Sequence, residues 1–284
     1  MQETKKNANN IDDDEFFTPF EELTIRNNFM FTKVFSHEDI AKPFIEDLFN
    51  IKVDHLEIVR EASLEDDPNQ HGVRFDVFIK EKEGEKIGRV FDLEMQMKDT
   101  YNLPLRARYY EAMCDSEALD RGASYDELKE QYIIFLCPND FLHAGRNIYE
   151  FENLEINDPK IKLGDLCYKK FYIFNKYKDF TDEKVQAYMR YFATCKPSSE
   201  ATNAINDRVK HYKQSKSARK AYMLWKDDLK VRCKQWLEKG INEGRAEGEQ
   251  ERQALQDENA LLRARLAKAE AAGFVSDVQA DYKP

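Results

Sequence analysis

The chain has 284 residues, of which 42% are hydrophobic and 35% are charged, and its formal net charge is −10. This length allows one domain of about 150–220 residues plus an appendage, and the hydrophobic fraction is large enough to fill a core. The acidic balance argues against a protein that coats nucleic acid indiscriminately, although a local basic face can still bind it.

The cysteines, the hydropathy and the N-terminus argue against further classes of protein. The five cysteines are odd in number and no two have CxxC spacing, which disfavours both a thiolate zinc site and a disulfide framework. The sequence contains no apolar run of about 18 residues, so no membrane-spanning segment is predicted. The polar N-terminus lacks the apolar middle part of a signal peptide. These features predict a cytoplasmic protein with reduced cysteines.

The first elements of the chain are predicted to be helical. Residues 1–20 are the expected disordered segment, because the chain begins with a polar stretch that ends in acidic residues. Two helical pieces follow, with a break near Ser36 and His37, and the second piece has apolar residues at helical spacing. Alternation in "VDHLEIV", residues 53–59, predicts a strand. The Pro, Asn and Gly residues of 65–72 predict a loop.

A β-hairpin is predicted next. "VRFDVFIK", residues 73–80, and "RVFDLEMQM", residues 89–97, both alternate, and a polar turn with Gly84 separates them. In the second run, Phe91, Leu93 and Met95 occupy one face and Asp92, Glu94 and Gln96 the other. The hairpin thus carries two carboxylates and an amide along one side of a strand.

The next segments complete an α/β domain. A helix is expected from Pro104, with Asn102 near its start and Gly122 past its end. The compact apolar run at 131–137 predicts a buried central strand, and 148–156 and 169–175 are further strand candidates. The predicted fold of residues 21–180 is therefore a mixed β-sheet flanked by helices.

The C-terminal part is predicted to be helical, in two segments. Residues 181–239 begin with Thr181 as the expected helix cap, and 208–239 hold eleven Lys/Arg against three acids. This basic stretch is either a DNA-contacting face or the solvated side of helices whose Trp225 and Trp236 are core residues. The candidate DNA-binding residues are Lys210, Lys213, Lys216, Arg219 and Lys220.

Residues 240–284 are predicted to form a short coiled-coil-like helix with a frayed tail. Leu255, Asn259, Leu262 and Leu266 fit alternating heptad positions, and coiled-coil dimers often bury one asparagine. The apolar part covers barely two heptads, so Asn259 is either a buried register device or a solvated surface residue. A homo-oligomer formed through residues 250–270 is the expected consequence.

The hairpin carboxylates are the candidate for chemistry. The turn centres on Glu85 if Asp76 lies opposite Glu94, and on Gly84 if it lies opposite Asp92. Burial of one face selects a register that groups Asp76 with Glu94. Opposed side chains start about 4.5–5.5 Å apart at Cβ, and two carboxylates that close repel unless a proton or cation lies between them. A hard divalent cation such as Mg²⁺ meets that need.

Two neighbours share the face of these carboxylates. Gln96 lies two residues past Glu94 on the same face of the strand. Its amide could orient a water or a phosphate oxygen there, but it supplies no positive charge. Asp92 is expected either to face solvent or to support the metal ligands from behind, and a role as a ligand itself is the less favoured third alternative.

The order of these residues resembles a known family. Asp76 followed by Glu94-Met95-Gln96 on the next strand resembles the PD-(D/E)XK nuclease superfamily in its E-x-Q variant. The segments "NNFMFTKVF", "GVRFDVFI", "FDLEMQ", "LPLRARYY" and "YIIFLCPNDFLHAGRNIYEFEN" are together similar to the Rpn group of recombination-promoting nucleases and transposases of bacteria and mobile elements. The resemblance covers about residues 22–180, and more loosely "RKAYMLWKDDLK". It implies a restriction-endonuclease-like sheet.

The resemblance also implies an activity and a set of roles. It implies Mg²⁺-dependent hydrolysis of DNA phosphodiester bonds, with Mn²⁺ as a substitute, in recombination or transposition. Asp76, Glu94 and the backbone carbonyl of Met95 would bind the metal, and Gln96 would take the place of a lysine. The residues that would face the phosphate backbone are Arg106, Arg108 and Tyr109 or Tyr110.

One position departs from the family pattern. Asn28 in "NNFMF" stands where similar sequences carry an aspartate, so one charge is lost there. The alternative is therefore a weakened or inactive nuclease fold that acts as an oligomeric DNA-binding or adaptor module.

Overall fold

The computed structural model describes residues 17–60, 63–64, 73–74, 76–84, 86–98, 102–119 and 122–271. The expected loop at 65–72, the frayed tail and most of the expected N-terminal disordered segment lie outside these residues. One compact unit spans Asp14–Tyr222, and a second holds the described residues from Met223 onward. In the part of the chain so described, no helix is both long enough and apolar enough to cross a membrane.

Eight strands and six helices make up these residues. The strands are β1 (His55–Arg60), β2 (Ser63–Leu64), β3 (Val73–Arg74), β4 (Val77–Glu83), β5 (Lys86–Met95), β6 (Gln131–Cys137), β7 (Ile148–Phe151) and β8 (Cys167–Ile173). The helices are α1 (Asn28–Phe35), α2 (Glu38–Phe49), α3 (Leu103–Ala118), α4 (Glu183–Thr194), α5 (Glu200–Gln214) and α6 (Lys216–Ala271). Short 3-10 turns lie at Phe20–Glu22, Tyr125–Glu127 and Phe174–Asp179.

Six strands form one mixed sheet in the order β1-β4-β5-β6-β8-β7. The β5-β6 and β6-β8 pairs are parallel and the other pairs are antiparallel. On one face, Phe49 at the end of α2 packs against Phe91 and Tyr132. On the other face, Ala107 and Tyr110 of α3 pack over the sheet. The expected α/β fold, with a mixed sheet flanked by helices and a buried central strand at 131–137, is confirmed.

The predicted strand at 73–80 is divided into two. Val73 and Arg74 form β3, which pairs with β2 in a separate two-stranded sheet, and the chain joins the main sheet only at Val77. Between them, the side chain of Asp76 accepts the backbone N–H of Met95 at 3.0 Å. At this end of β5, the Met95 N–H therefore bonds to a side-chain oxygen of Asp76 instead of to a backbone carbonyl of a neighbouring strand.

Other predicted bounds change at element ends. The strand predicted at 148–156 stops at Phe151, and the first turn of α4 is capped by Asp182 rather than Thr181. The side chain of Asp182 accepts the N–H groups of Lys184 and Val185, as a helix N-cap does. The expected short C-terminal helix is the end of α6, which is continuous over 56 residues.

Candidate active site

The hairpin register places the two predicted carboxylates together. Val77 of β4 pairs with Leu93 of β5 in an antiparallel ladder. The next step of this ladder brings Asp76 opposite Glu94, which is one of the two registers that the sequence allowed. Both side chains therefore lie at the carboxyl end of β5, where ligands commonly bind in open α/β sheets.

The ladder shifts by one residue between this end and the turn. The irregularity lies between Lys80 and Lys82, and Glu83 then pairs with Lys86. Gly84 has φ +64°, a conformation that glycine adopts without strain. The pairing of Glu83 with Lys86 centres the turn between positions 84 and 85. The register at the site, continued without a shift, would centre it on position 85.

Asp76 and Glu94 hold each other through reciprocal backbone contacts. The Asp76 N–H donates to Glu94 Oε1 at 2.8 Å, and Asp76 Oδ2 accepts the Met95 N–H. The amide of Asn28 donates to Asp76 Oδ1 at 3.4 Å. Asn28 is brought here because Asn27 caps α1 and so fixes where the helix begins.

The polar face of β5 is buried, which the alternating pattern did not indicate. Glu94 is 3% exposed and Asp92 is 0% exposed, because α3 covers this side of the central strand. The expectation that Asp92 faces solvent is therefore wrong. Burial raises the pKa of Glu94 well above its usual range, and the charges of Asp76 and Asp92 raise it further.

A guanidinium from α3 supplies the positive charge of the site. Arg106 Nη1 donates to Gln96 Oε1 at 2.5 Å, and Nη2 lies 3.6 Å from Glu94 Oε2. The same Nη2 donates to the hydroxyl of Tyr110 at 3.0 Å. The other end of the Gln96 amide donates to the backbone carbonyl of Lys98. Both ends of Gln96 are thus engaged, and its oxygen points to Arg106.

The remaining α3 candidates lie on two sides of the helix. Tyr110 is buried and stacks on Phe135, with ring centroids 6.0 Å apart, and burial raises the pKa of its phenol. Tyr109 is 42% exposed, and Arg108 is also exposed. The structure therefore brings Arg106 and Tyr110 to the carboxylates and places Arg108 and Tyr109 on the outer side.

The candidate DNA-binding residues lie on α5 and the start of α6. Lys210 pairs with Asp207 at 2.9 Å, and Arg219 pairs with Glu21. Of the other candidates, Lys216 and Lys220 are exposed and Lys213 is half-buried. Trp236 is 64% exposed, so the reading that makes it a core residue is wrong.

The donor set of the hairpin fits a small hard cation. The carboxylates of Asp76 and Glu94 offer oxygen atoms, which Mg²⁺ and Mn²⁺ prefer, whereas the oxygen of Gln96 is engaged by Arg106. Among the described residues, no group of three or more His, Cys, Asp or Glu side chains is arranged to hold a metal. Any cation here would therefore be held mainly by Asp76 and Glu94, as expected when a protein binds Mg²⁺ through one or two carboxylates.

Comparison with known proteins identifies one family. The family model described as PD-(D/E)XK nuclease family transposase matches residues 25–223, a range that contains Asn28, Asp76, Glu94, Gln96 and Arg106. In the corresponding searches, no curated protein and no solved structure matches the chain.

Proposed function

The chain belongs to the PD-(D/E)XK nuclease family transposases, and from this membership we propose that it is a Mg²⁺-dependent endonuclease that hydrolyses phosphodiester bonds in DNA. The main support is the convergence of Asp76 and Glu94 at the carboxyl end of β5, where Glu94 accepts the Asp76 N–H and Asp76 accepts the Met95 N–H. Glu94 is buried and Asp76 is half-buried, and two neighbouring carboxylates in such a position are stabilised by a cation between them.

The residues of the site divide the work between them. Asp76 and Glu94 would hold the metal, with the Met95 carbonyl as a further oxygen ligand. A bound Mg²⁺ supplies Lewis-acid polarisation of the phosphate and lowers the pKa of a bound water. Arg106 would offset negative charge on the phosphate, and Gln96 would hold the guanidinium in place rather than orient the water.

Nicking of supercoiled plasmid tests this function. We expect cleavage with Mg²⁺ or Mn²⁺, none with EDTA, and none from Asp76→Ala or Glu94→Ala at equal concentrations of folded protein. Equal cleavage by all three proteins would remove the basis of the proposal.

Asn28 provides a test of the weakened-enzyme alternative. Asn28→Asp adds a third carboxylate beside Asp76, where the amide now donates a long hydrogen bond. We expect the Mg²⁺ concentration for half-maximal nicking to fall several-fold, because extra ligand charge strengthens Mg²⁺ binding. An inactive wild type with an active Asn28→Asp variant would instead favour a decayed nuclease that serves as a DNA-binding module.

We also propose how the chain binds its partners. The exposed lysines of α5 and α6 would contact the DNA backbone, and the segment 250–270 of α6 would pair two copies. Leu255, Leu262 and Leu266 are exposed along that segment, which favours burial against a second helix. Light scattering tests the pairing, since Leu255→Lys with Leu262→Lys should give a monomer.

We also propose that the nuclease activity takes place in the cytoplasm and serves recombination or transposition.

A further inference from the structure

The edge of the main sheet at which the parallel strands β5, β6 and β8 end extends well beyond the two carboxylates. The Gln96 N–H, just after β5, donates to the carbonyl of Leu136 in β6 at 3.0 Å, and Cys137 pairs with Ile173 of β8. The Ile173 N–H in turn donates to the carbonyl of Asn147, just before β7, at 2.8 Å. The segments that leave these strands therefore lie side by side in a row that begins at the candidate site.

The loop between β6 and β7, residues 138–147, is built around Asp140. The Asp140 carboxylate accepts the Gly145 N–H at 2.7 Å and the Tyr149 hydroxyl at 2.6 Å. It also pairs at 3.5 Å with Lys176, which lies in the turn that follows β8. Three contacts thus fix this loop relative to β7 and to the end of β8.

This edge carries more cations than acids, in a chain whose formal net charge is −10. The described segments that follow β5, β6 and β8 contain four Lys or Arg and two Asp, over residues 97–98, 138–147 and 174–179. Lys98, Arg146 and Lys178 are exposed, and their side chains have no partner in the described part of the chain. Asp140 is already paired with Lys176 and so does not neutralise these three edge cations.

The width of this edge suits a DNA strand. Neighbouring strands of a sheet lie about 4.8 Å apart, so the three steps from β5 to β7 cover about 14 Å. One strand of DNA advances about 3.4 Å along the helix axis per nucleotide, so the same length spans about four nucleotides. Lys98 directly follows the strand of the candidate site, and Arg146 lies two residues before β7. The two cations are therefore placed for phosphates at opposite ends of such a stretch.

We propose that the edge cations Lys98, Arg146 and Lys178 bind the phosphate backbone of the DNA on one side of the bond that is cut. The inference deepens the proposed function and rests on it for the position of that bond. Lys and Arg contacts to phosphate fix the register of a protein on DNA without reading its sequence. These cations are distinct from the lysines of α5 and α6, because they lie on the sheet that carries the carboxylates.

Binding of a fluorescein-labelled DNA duplex to the full chain in EDTA tests the inference, by anisotropy over a range of salt concentrations. We expect Arg146→Ala and Lys178→Ala each to weaken binding about threefold to tenfold for any sequence, and to lower the slope of log K against log salt by about 1. The double variant should lower it by about 2, and Arg146→Lys should keep the wild-type slope.

Lys129→Ala is the matched control. Lys129 is half-exposed without a side-chain partner among the described residues, but it precedes β6 and so lies at the opposite edge of the sheet. We expect its removal to leave the affinity and the slope unchanged. A slope that falls as much in Lys129→Ala as in the edge variants would overturn the inference, since any cation would then serve.

Measurement in EDTA separates this inference from the nuclease proposal. A wild type that binds DNA with the expected loss of slope in the edge variants, but does not nick plasmid with Mg²⁺, would count against the nuclease and leave the edge cations in place. Edge variants that bind with the wild-type slope would overturn the inference whether or not the wild type nicks. Failure of the wild type to bind the duplex would overturn it as well.

Discussion

Replacement of Glu94 by glutamine is expected to abolish cleavage while raising the stability of the metal-free protein. Glutamine keeps the size of the side chain and an oxygen that can accept the Asp76 N–H. The amide removes a negative charge from a site where Asp76 and Asp92 both raise the pKa of Glu94. A metal supplies several kcal/mol of transition-state stabilisation, so its loss should slow cleavage by about 10³-fold or more.

Glu81 is the matched control on the same hairpin. It is also buried, at 2% exposure, but it accepts hydrogen bonds from Arg89 Nε at 2.6 Å and from Nη2 at 2.7 Å. Glu81→Gln breaks this ion pair and should lower the free energy of unfolding by about 3 kcal/mol, with cleavage by the folded protein unchanged.

Denaturant unfolding in EDTA and plasmid nicking with Mg²⁺ measure the two effects. Opposite changes in stability from two buried glutamates would show that Glu94 is kept for function and Glu81 for stability. A destabilised Glu94→Gln protein, or one that still cleaves, would contradict this account.

The register of the two strands at the site could be predicted from the sequence, because side chains alternate between the faces of a strand with a period of two. "FDLEMQ" fixes which side chains share a face, and grouping Asp76 with Glu94 selects the register that the structure has at this end. The burial of that face could not be predicted from the sequence. A polar face on an alternating strand usually faces solvent, whereas here α3 covers it, and no local pattern in β5 records a helix that packs from elsewhere.

The hairpin also contains a signal that could have been read. Gly88 interrupts the alternating run close to the ladder shift, and a Cβ there would lie 3.0 Å from Glu81 Oε2. Glycine inside a strand often marks a bulge or a close approach. The sequence thus contained the cause of the displaced turn, although the partner that comes close is known only from the fold.

The role of Arg106 could be predicted only in part from the sequence. Arg106 and Tyr110 are four residues apart, a spacing that places them on one face of a helix. Their spacing could have separated Tyr110 from Tyr109, which lies on the other side. The pairing of Arg106 with Gln96 depends on where α3 packs relative to the end of β5, and spacing along the chain does not determine that.

Loss of Arg106 is expected to have the second largest effect. Its guanidinium is the cation that contacts both Glu94 and Gln96 in the described structure, so it is placed to offset charge on a bound phosphate. Removing one such stabilising group typically slows a reaction by about 10²–10³-fold, and we expect this for Arg106→Ala in the nicking assay. Arg108→Ala is the control, because Arg108 is exposed two residues further on and should change cleavage only slightly.

Gln96→Lys in the Arg106→Ala background tests whether the charge or the arginine itself matters. Gln96 stands at the position where related motifs carry a lysine, and its carbonyl end points to the space that Arg106 fills. A lysine there can reach the vacated space and return a positive charge beside Glu94. We expect the double variant to recover at least about tenfold of the lost cleavage, since one returned charge-assisted hydrogen bond is worth about 1.5–3 kcal/mol.

The same Gln96→Lys change with Arg106 present should not raise cleavage, because two cations would then compete for one carboxylate. Recovery in the double variant alone would mean that the motif's missing positive charge has moved from the strand to α3. Failure of the double variant, with both single variants folded, would assign Arg106 a role that depends on its planar guanidinium rather than on charge.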